Sequence, residues 1–298
     1  MNIRNGLSKY MLTAAAAVLT SLICYASVSS ISAQGSMTGE WILEMKPGTD
    51  FVYFSIHRRS ERSGTHSSSS DIRADSLKGL SAAQASGSGS AVSFQVVREA
   101  GTLNCEGWFK EGKGSGSFTF APNQRFAAEM RSLGYEQLSD EKLFSMAVHD
   151  IGLTFIRELN ALGYDHLTID NLFAMRIHGA GPQFIKAMKD EGYDRVPVDN
   201  LVAMRIHGVK PEFIGELKSL GYQHPPIDQL VAMRIHGVST EFVKEIKVLG
   251  FDRVSTDQLV AMRIHGVSSA FIQKMKTRGF NDASIDQLIE LKIHGFDK

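Results

Sequence analysis

The chain has 298 residues, which is long enough for two domains, and its 43% hydrophobic content allows a sizeable buried core. Lysine plus arginine and aspartate plus glutamate both number 32, so the formal net charge is zero. This balance argues against a general nucleic-acid binder, which needs a basic surplus to contact phosphates, and against an acidic disordered chain.

The first 34 residues have the pattern of an export signal. Arg4 and Lys9 give a short positive start, an uncharged stretch follows, and Ala33 offers a small residue for cleavage. The alternative is an uncleaved membrane anchor, because the apolar run is nearly long enough to span a bilayer. The pattern favours cleavage, and therefore a periplasmic or secreted protein in which Cys105 is the only cysteine and no internal disulfide forms.

Residues 36–121 are predicted to form a small antiparallel β region of about five or six strands. The segments EWILEMK, DFVYFSIHRR, AVSFQVV, TLNCEGWF and GSGSFTF are short, aromatic or β-branched, and separated by glycine and serine clusters. Gly107 and Gly116 indicate bulges or a close backbone approach. The polar stretches SERSGTHSSSSD and SAAQASGSGS are predicted to be mobile loops.

Residues 123–298 contain a 29-residue repeat. LVAMRIHGV begins identically at Leu201, Leu230 and Leu259, and the other three copies begin at Leu172, Leu143 and Leu288. A fixed period of this size predicts a stacked array, here an α-solenoid of six helix–turn–helix units. The whole chain is therefore predicted to be α+β, with a small antiparallel β region followed by the solenoid.

Each unit is predicted to contain two short helices that end at glycines. In the copy that starts at Leu201, Asp199 stands where an N-cap is expected, and the mostly apolar helix after it is predicted to be buried and to stop at Gly208. The second helix begins near Pro211 and stops at Gly221.

An arginine and a histidine recur in register, and these residues are the candidate binding residues: Arg176, Arg205, Arg234, Arg263, His178, His207, His236 and His265. The arginines either pair with neighbouring aspartates as a structural ladder or face solvent as a stripe that binds carboxylates or phosphates. Their recurrence together with the caps and core residues favours the ladder. Stacked histidines lie too far apart to converge on one metal ion, so neither a metal nor a cofactor is expected.

The sequence favours a protein that is not an enzyme. It lacks an HExxH motif, a GxSxG elbow and a phosphate-binding loop. Ser139 and Lys142 have the S-x-x-K spacing of penicillin-recognising serine enzymes, which leaves an envelope hydrolase or β-lactam-recognising enzyme as an alternative, although helix capping explains the serine. The turns between helices also invite comparison with helix-hairpin-helix nucleic-acid binders, a further alternative that the charge balance disfavours.

The array RIHGV…EFI.ELK.LGY…DQLVAMRIHGV resembles repeats at the C-terminal, extracytoplasmic end of some bacterial BlaR/MecR-type sensor metallopeptidase homologues. The segment REAGTLNCEGWFKEGKGSGSFTFAPN resembles the part that precedes those repeats. The resemblance covers about residues 40–298, without the peptidase domain, and implies an exported sensing or docking module. Together these features predict an exported, non-enzymatic binding or scaffold protein whose solenoid docks a protein, a peptide or a cell-envelope polymer.

We expect the mature protein to begin near Gln34 or Gly35, because cleavage follows a small residue at the end of the apolar run. N-terminal sequencing of the exported protein measures this directly. Recovery of intact Met1 in the membrane fraction would instead indicate an uncleaved anchor.

Overall fold

The computed structural model describes residues 37–60, 64–136 and 138–296, so the predicted export signal lies outside the described residues. The strands are β1 (Met37–Met45), β2 (Phe51–Ser60), β3 (Gly64–Arg73), β4 (Leu77–Lys78), β5 (Ser90–Arg98), β6 (Gly101–Lys110) and β7 (Lys113–Pro122). They form one curled antiparallel sheet in the order β3-β2-β1-β7-β6-β5-β4. The α+β fold class is therefore confirmed.

Alternation along the strands places one face of the sheet in the core, as predicted. The buried side chains from β5, β6 and β7 are Val92, Phe94, Val96, Leu103, Cys105, Phe109, Phe118 and Phe120. Burial raises the pKa of the Cys105 thiol to about 12, so the thiol stays protonated at neutral pH and is a poor nucleophile.

Gly107 and Gly116 mark a close backbone approach rather than a bulge. The two residues are partners across β6 and β7, and a Cβ added to Gly116 would lie 2.6 Å from the Cα of Gly107. A Cβ on Gly107 would lie 2.7 Å from the Trp41 ring, whose Nε1 donates to the carbonyl of Ser117 at 3.0 Å. Gly107 therefore makes room for the buried Trp41 ring, and Gly116 makes room for the backbone of β6.

The two segments predicted to be mobile loops form regular structure, and that prediction is wrong. Most of the serine-rich segment is β3, an edge strand that pairs with β2 from Gly64 to Arg73. Strand pairing uses backbone groups, so an edge strand needs few apolar side chains. The second segment contains helix α1 (Ala82–Ser86), which Ser81 and Gln84 stabilise by a capping box.

Two kinds of helix alternate after the sheet. The helices that contain the repeated nonapeptide or its counterpart are called the first helices: α3 (Asp140–Val148), α5 (Ile169–His178), α7 (Val198–Ile206), α9 (Ile227–Ile235), α11 (Thr256–His265) and α13 (Ile285–Ile293). The others are called the second helices: α2 (Gln124–Ser132), α4 (Leu153–Ala161), α6 (Pro182–Asp190), α8 (Pro211–Ser219), α10 (Thr240–Val248) and α12 (Ser269–Thr277). Equivalent helices recur every 29 residues, so the predicted repeat period is confirmed.

Glycines in the left-handed region end both kinds of helix. Gly208 follows a first helix with φ 72°, and Gly221 follows a second helix with φ 95°. The next amide donates back into the helix in each case, from Val209 to Met204 at 2.8 Å and from Tyr222 to Leu217 at 3.0 Å. These bonds satisfy carbonyl groups that a helix end otherwise leaves free.

The predicted N-cap role of Asp199 is wrong. The N-cap of α7 is Pro197, so Asp199 lies inside the first turn, where its charge suits the positive end of the helix dipole. In α5, α11 and α13 the cap is a threonine or a serine two residues before the equivalent aspartate, as with Thr168 before Asp170. The hydroxyl reaches the free amide of the first turn from the true cap position.

The apolar core runs without a break from the sheet into the array. In the unit around α7, Leu201, Met204 and Val209 are fully buried, and Ile214 and Leu217 of the following helix pack against them. Neighbouring units are also joined by tyrosines, since the hydroxyl of Tyr222 donates to the carbonyl of Val254 at 2.8 Å. Equivalent bonds join Tyr164 to Val196 and Tyr193 to Pro225.

The sheet covers the start of the array. Phe144 of α3 stacks on Phe118 at 5.8 Å between ring centroids, so this first helix packs directly on the sheet. The carboxylate of Glu99 accepts hydrogen bonds from the backbone amides of Leu153 and Thr154, and it caps α4 from the turn between β5 and β6. Gly152 leaves room for this contact, because a Cβ there would lie 2.5 Å from the Glu99 carboxylate and would shift it.

No helix in the described part of the chain combines the length and the apolar character needed to cross a membrane. The apolar stretch near the N-terminus belongs to residues outside that part.

We expect Gly221→Ala to destabilise the array by about 1–2 kcal/mol, because its φ of 95° is unfavourable for a residue with a Cβ. No atom lies within 4 Å of the added Cβ, so backbone strain is the whole effect. Thermal unfolding followed by circular dichroism measures the change.

Gly215→Ala is the matched control, because Gly215 lies inside α8 and receives the same added atom. It should stabilise the protein by about 0.5–1 kcal/mol. Equal effects of the two substitutions would contradict the role of Gly221 as a left-handed stop.

Candidate binding surface on the first helices

Arg176 and Arg205 each reach back to the preceding unit and form a joint between three helices. The guanidinium of Arg205 lies 5.1 Å from the centroid of the Phe184 ring, and its Nε donates to the carbonyl of His178 at 3.2 Å. Arg176 makes the same contacts with Phe155 and the carbonyl of His149. The arginine thus satisfies a free carbonyl at the end of one first helix and packs on the second helix that follows.

The ring contact continues along the row. Arg234 lies 5.1 Å from the Phe213 ring centroid, Arg263 lies 5.2 Å from that of Phe242, and Lys292 takes the same place over Phe271. The cationic groups are therefore held by aromatic rings of the preceding second helices.

The joints do not form a ladder of arginine–aspartate pairs. Within the described residues, the one carboxylate that forms a salt bridge with an arginine of the row is that of Asp150, 2.5 Å from Nη2 of Arg176. Asp150 occupies the position that glycine holds in the other units, and it also lies 3.3 Å from Arg98. In the later joints an aromatic ring takes the place of the expected aspartates, and Arg205 also bonds to a backbone carbonyl. The buried Nε of Arg234 has no hydrogen-bond partner among the described residues.

The histidines lie at the ends of the first helices with exposed side chains. His178 and His265 are the last residues of their helices, whereas His207 and His236 are the C-caps of theirs. All four are exposed. Within the part of the chain that is described, no three metal-binding side chains come close enough to hold an ion. The imidazoles are therefore available for contact from outside.

An isoleucine next to each histidine is more exposed than the sequence predicts. These residues, called the isoleucine row, are Ile177, Ile206, Ile235, Ile264 and Ile293, and their exposed fractions lie between 53% and 56%. Leu201 and Met204 face the core, and residue 206 lies about 140° around the helix from residue 201. The prediction that the first helices are buried over most of their surface is wrong for this position.

Two further rows lie beside the isoleucine row on the same outer side of the first helices. Phe173, Val202, Val231, Val260 and Ile289 are half-buried and extend the apolar stripe toward the helix starts. Asp170, Asp199, Asp228, Asp257 and Asp286 are exposed and stand two turns before the isoleucines. The outer side of the first helices thus carries an acidic edge, an apolar centre and a histidine edge.

The layer of first helices lies on the inner side of a curve. From α5 onward, each first helix lies closer to its counterpart in the next unit than the second helices do to theirs. A stack of two layers bends toward the more closely spaced one, and this predicts that the isoleucine row lies on the concave side of the array.

Ser139 acts as a helix cap. Its hydroxyl accepts a hydrogen bond from the backbone amide of Lys142 at 3.3 Å, at the start of α3. The contact between Ser139 and Lys142, the pair that motivates the enzyme alternative, is thus a helix-capping bond from the backbone amide of the lysine.

A cleft of about 400 Å³ lies at the junction of the sheet and the array. Its polar lining includes Glu99, Asp150 and Arg176, and these groups are already engaged by the cap of α4 and by the first arginine joint. The cleft is therefore built mainly from side chains that hold the junction together.

We expect the double substitution Arg205→Met and Arg234→Met to lower the free energy of unfolding by about 1–3 kcal/mol. Methionine keeps a flexible apolar side chain over the phenylalanine rings but removes the cation–π contacts and the bond to the His178 carbonyl. Thermal and urea unfolding measure the loss.

Arg253→Met serves as the control, because Arg253 is an exposed loop residue outside the row. Its stability should stay within about 0.5 kcal/mol of the unmodified protein. Unchanged melting of the double variant would argue that the arginines are not joints.

A scan against protein-family models gave no match for this chain, and a search of curated proteins also gave none. The BlaR/MecR resemblance therefore stays a prediction from the sequence motifs.

Proposed function

We propose that this chain is an exported, non-enzymatic binding or scaffold protein that docks a protein, a peptide or a cell-envelope polymer on the first helices of its solenoid. The observation that carries the proposal is the isoleucine row, in which five equivalent apolar side chains stay more than half exposed. Contiguous exposed apolar surface in a folded protein is typical of an interaction site.

The isoleucines differ from the rest of the repeated nonapeptide. Leucine and methionine fill the core, arginine forms the joint and glycine ends the helix, whereas isoleucine and histidine point outward. Covering one half-exposed isoleucine is worth roughly 1 kcal/mol by area, so a partner that covers several of them gains useful affinity. The exposed histidines would form one edge of that contact.

The same surface disfavours nucleic acid as the partner. An exposed aspartate stands two turns from each isoleucine, and this acidic edge repels phosphates. Each arginine of the row has one side of its guanidinium group over a phenylalanine ring, which leaves less of the group open to a phosphate.

The test compares variants of the mature chain in cross-linking capture from the envelope fraction. Ile206→Ser with Ile235→Ser should lower the melting temperature only slightly, since both side chains are more than half exposed, and should lose at least about tenfold of the captured partner. Quantitative mass spectrometry of the cross-linked products measures the loss.

Val248→Ser is the matched control, because Val248 is 86% exposed but belongs to a second helix. It should capture the partner as well as the unmodified chain does. Capture that survives in the isoleucine variant would contradict the proposal. Capture lost only with Arg205→Met and Arg234→Met, without a change in melting, would place the binding site on the arginine row.

A further inference from the structure

The geometry points to an amphipathic α-helix of a partner protein as the ligand of the isoleucine row, with its basic flank against the aspartates. This inference rests on the proposed function and specifies the chemistry of the partner. The partner helix would lie along the concave side, across the first helices, and place one apolar side chain on each unit.

The spacing of the row matches the repeat of a helix. Neighbouring first helices pack against each other, and packed helices lie about 8–10 Å apart. Seven residues of an α-helix rise about 10.5 Å, so an apolar residue at every seventh position meets one isoleucine per unit. The row spans four such intervals from Ile177 to Ile293, so a helix that places an apolar residue on every unit at this spacing has about 29 residues.

The polarity of the surface favours a helix over an extended peptide. An extended peptide needs partners on the surface for the backbone groups that binding covers, whereas a helix satisfies its own. The centre of this surface offers valine, alanine and isoleucine side chains in the identical copies. The nearby amides of Gln229 and Gln258 are engaged with Asp257 and Asp286 of the next unit.

Charge sets the orientation of the partner. Asp170, Asp199, Asp228, Asp257 and Asp286 form one edge of the apolar stripe, and Asp199 and Ile206 are about 10.5 Å apart along their helix. A helix laid on the isoleucines has a diameter of about 10–12 Å, so lysine or arginine side chains on one flank reach the aspartates. An acidic flank in the same place would be repelled.

The concave shape disfavours two other occupants. Two concave faces of identical arrays meet first at their rims, so a face-to-face pair of copies of this chain covers the isoleucines poorly. An anionic lipid surface is flat on this scale and meets the acidic edge unfavourably. A single helix is narrow enough to lie along the isoleucine row and contact it over its whole length.

The probe is a fluorescent peptide of about 29 residues with leucine at every seventh position, a second leucine four residues after each of these on the same face, and lysine on one flank. One control peptide has the same composition in scrambled order, and another has glutamate in place of lysine. Binding to the mature chain is measured by fluorescence anisotropy at two salt concentrations.

We expect the periodic lysine peptide to bind at least about tenfold more tightly than either control peptide. Ile206→Ser with Ile235→Ser should weaken its binding at least about tenfold. Asp199→Asn with Asp228→Asn should weaken it less and reduce its salt dependence. Val248→Ser should change nothing, since it belongs to a second helix.

Absence of any preference for the periodic lysine peptide over the scrambled one would overturn the inference, whether both bind or neither does. If the native partner still depends on Ile206 and Ile235 in cross-linking, the proposed function survives that result and only the helical ligand is wrong. Self-association seen in sedimentation and lost in the isoleucine variant would assign the row to a second copy of this chain. Vesicle binding lost in the same variant would assign the row to a membrane surface. Either result would overturn the inference.

Discussion

The stability of this array depends on contacts between units, because its helices are too short to be stable alone. First and second helices have nine or ten residues each, below the length at which an isolated helix forms in water. Each unit therefore folds only against its neighbours, where leucine, methionine and isoleucine side chains are fully covered. The units before and after it supply the remaining contacts through the arginine joint and the tyrosine bond.

The sheet solves the same problem at the beginning of the array. The first helix of the first unit has no preceding first helix to cover it, and the aromatic side chains Phe118 and Phe120 take that place. Arg58 adds two hydrogen bonds to Glu141, and Glu99 supplies the missing cap of α4. The β region thus acts as the covering end of the solenoid and sets the orientation of its first unit.

Features that recur at a fixed spacing could be predicted from the sequence, whereas features that depend on distant residues could not. The 29-residue period, the glycine stops and the alternating strands follow from local chemistry, and the structure has them. Strand β3 was missed because its pairing uses backbone groups that serine shares with every residue. The cap from Glu99 was missed because it joins residues 54 positions apart.

The isoleucine row was missed for a different reason. In the stretch LVAMRIHGV, isoleucine is apolar like its buried neighbours, and only the angular position around the helix separates it from them. Counting from Leu201 at about 100° per residue shows that Ile206 faces away from the core. The signal was therefore present, but a tally of apolar residues hides it. The sequence predicted the arginines as links between units but with aspartates as partners. A phenylalanine ring and a backbone carbonyl carry no net charge, so a search for oppositely charged residues does not find them.

The bonds between units join residues at a constant separation in the sequence, so the same bond can recur in successive units. The arginine bond spans 27 residues and the tyrosine bond spans 32, so both join one unit to the next. Duplication or loss of a whole 29-residue unit therefore keeps these partners in register. Gene-level recombination between the identical nonapeptides would yield such whole-unit changes. The array can thus lengthen or shorten its contact surface by one isoleucine at a time while the local chemistry of each contact stays the same.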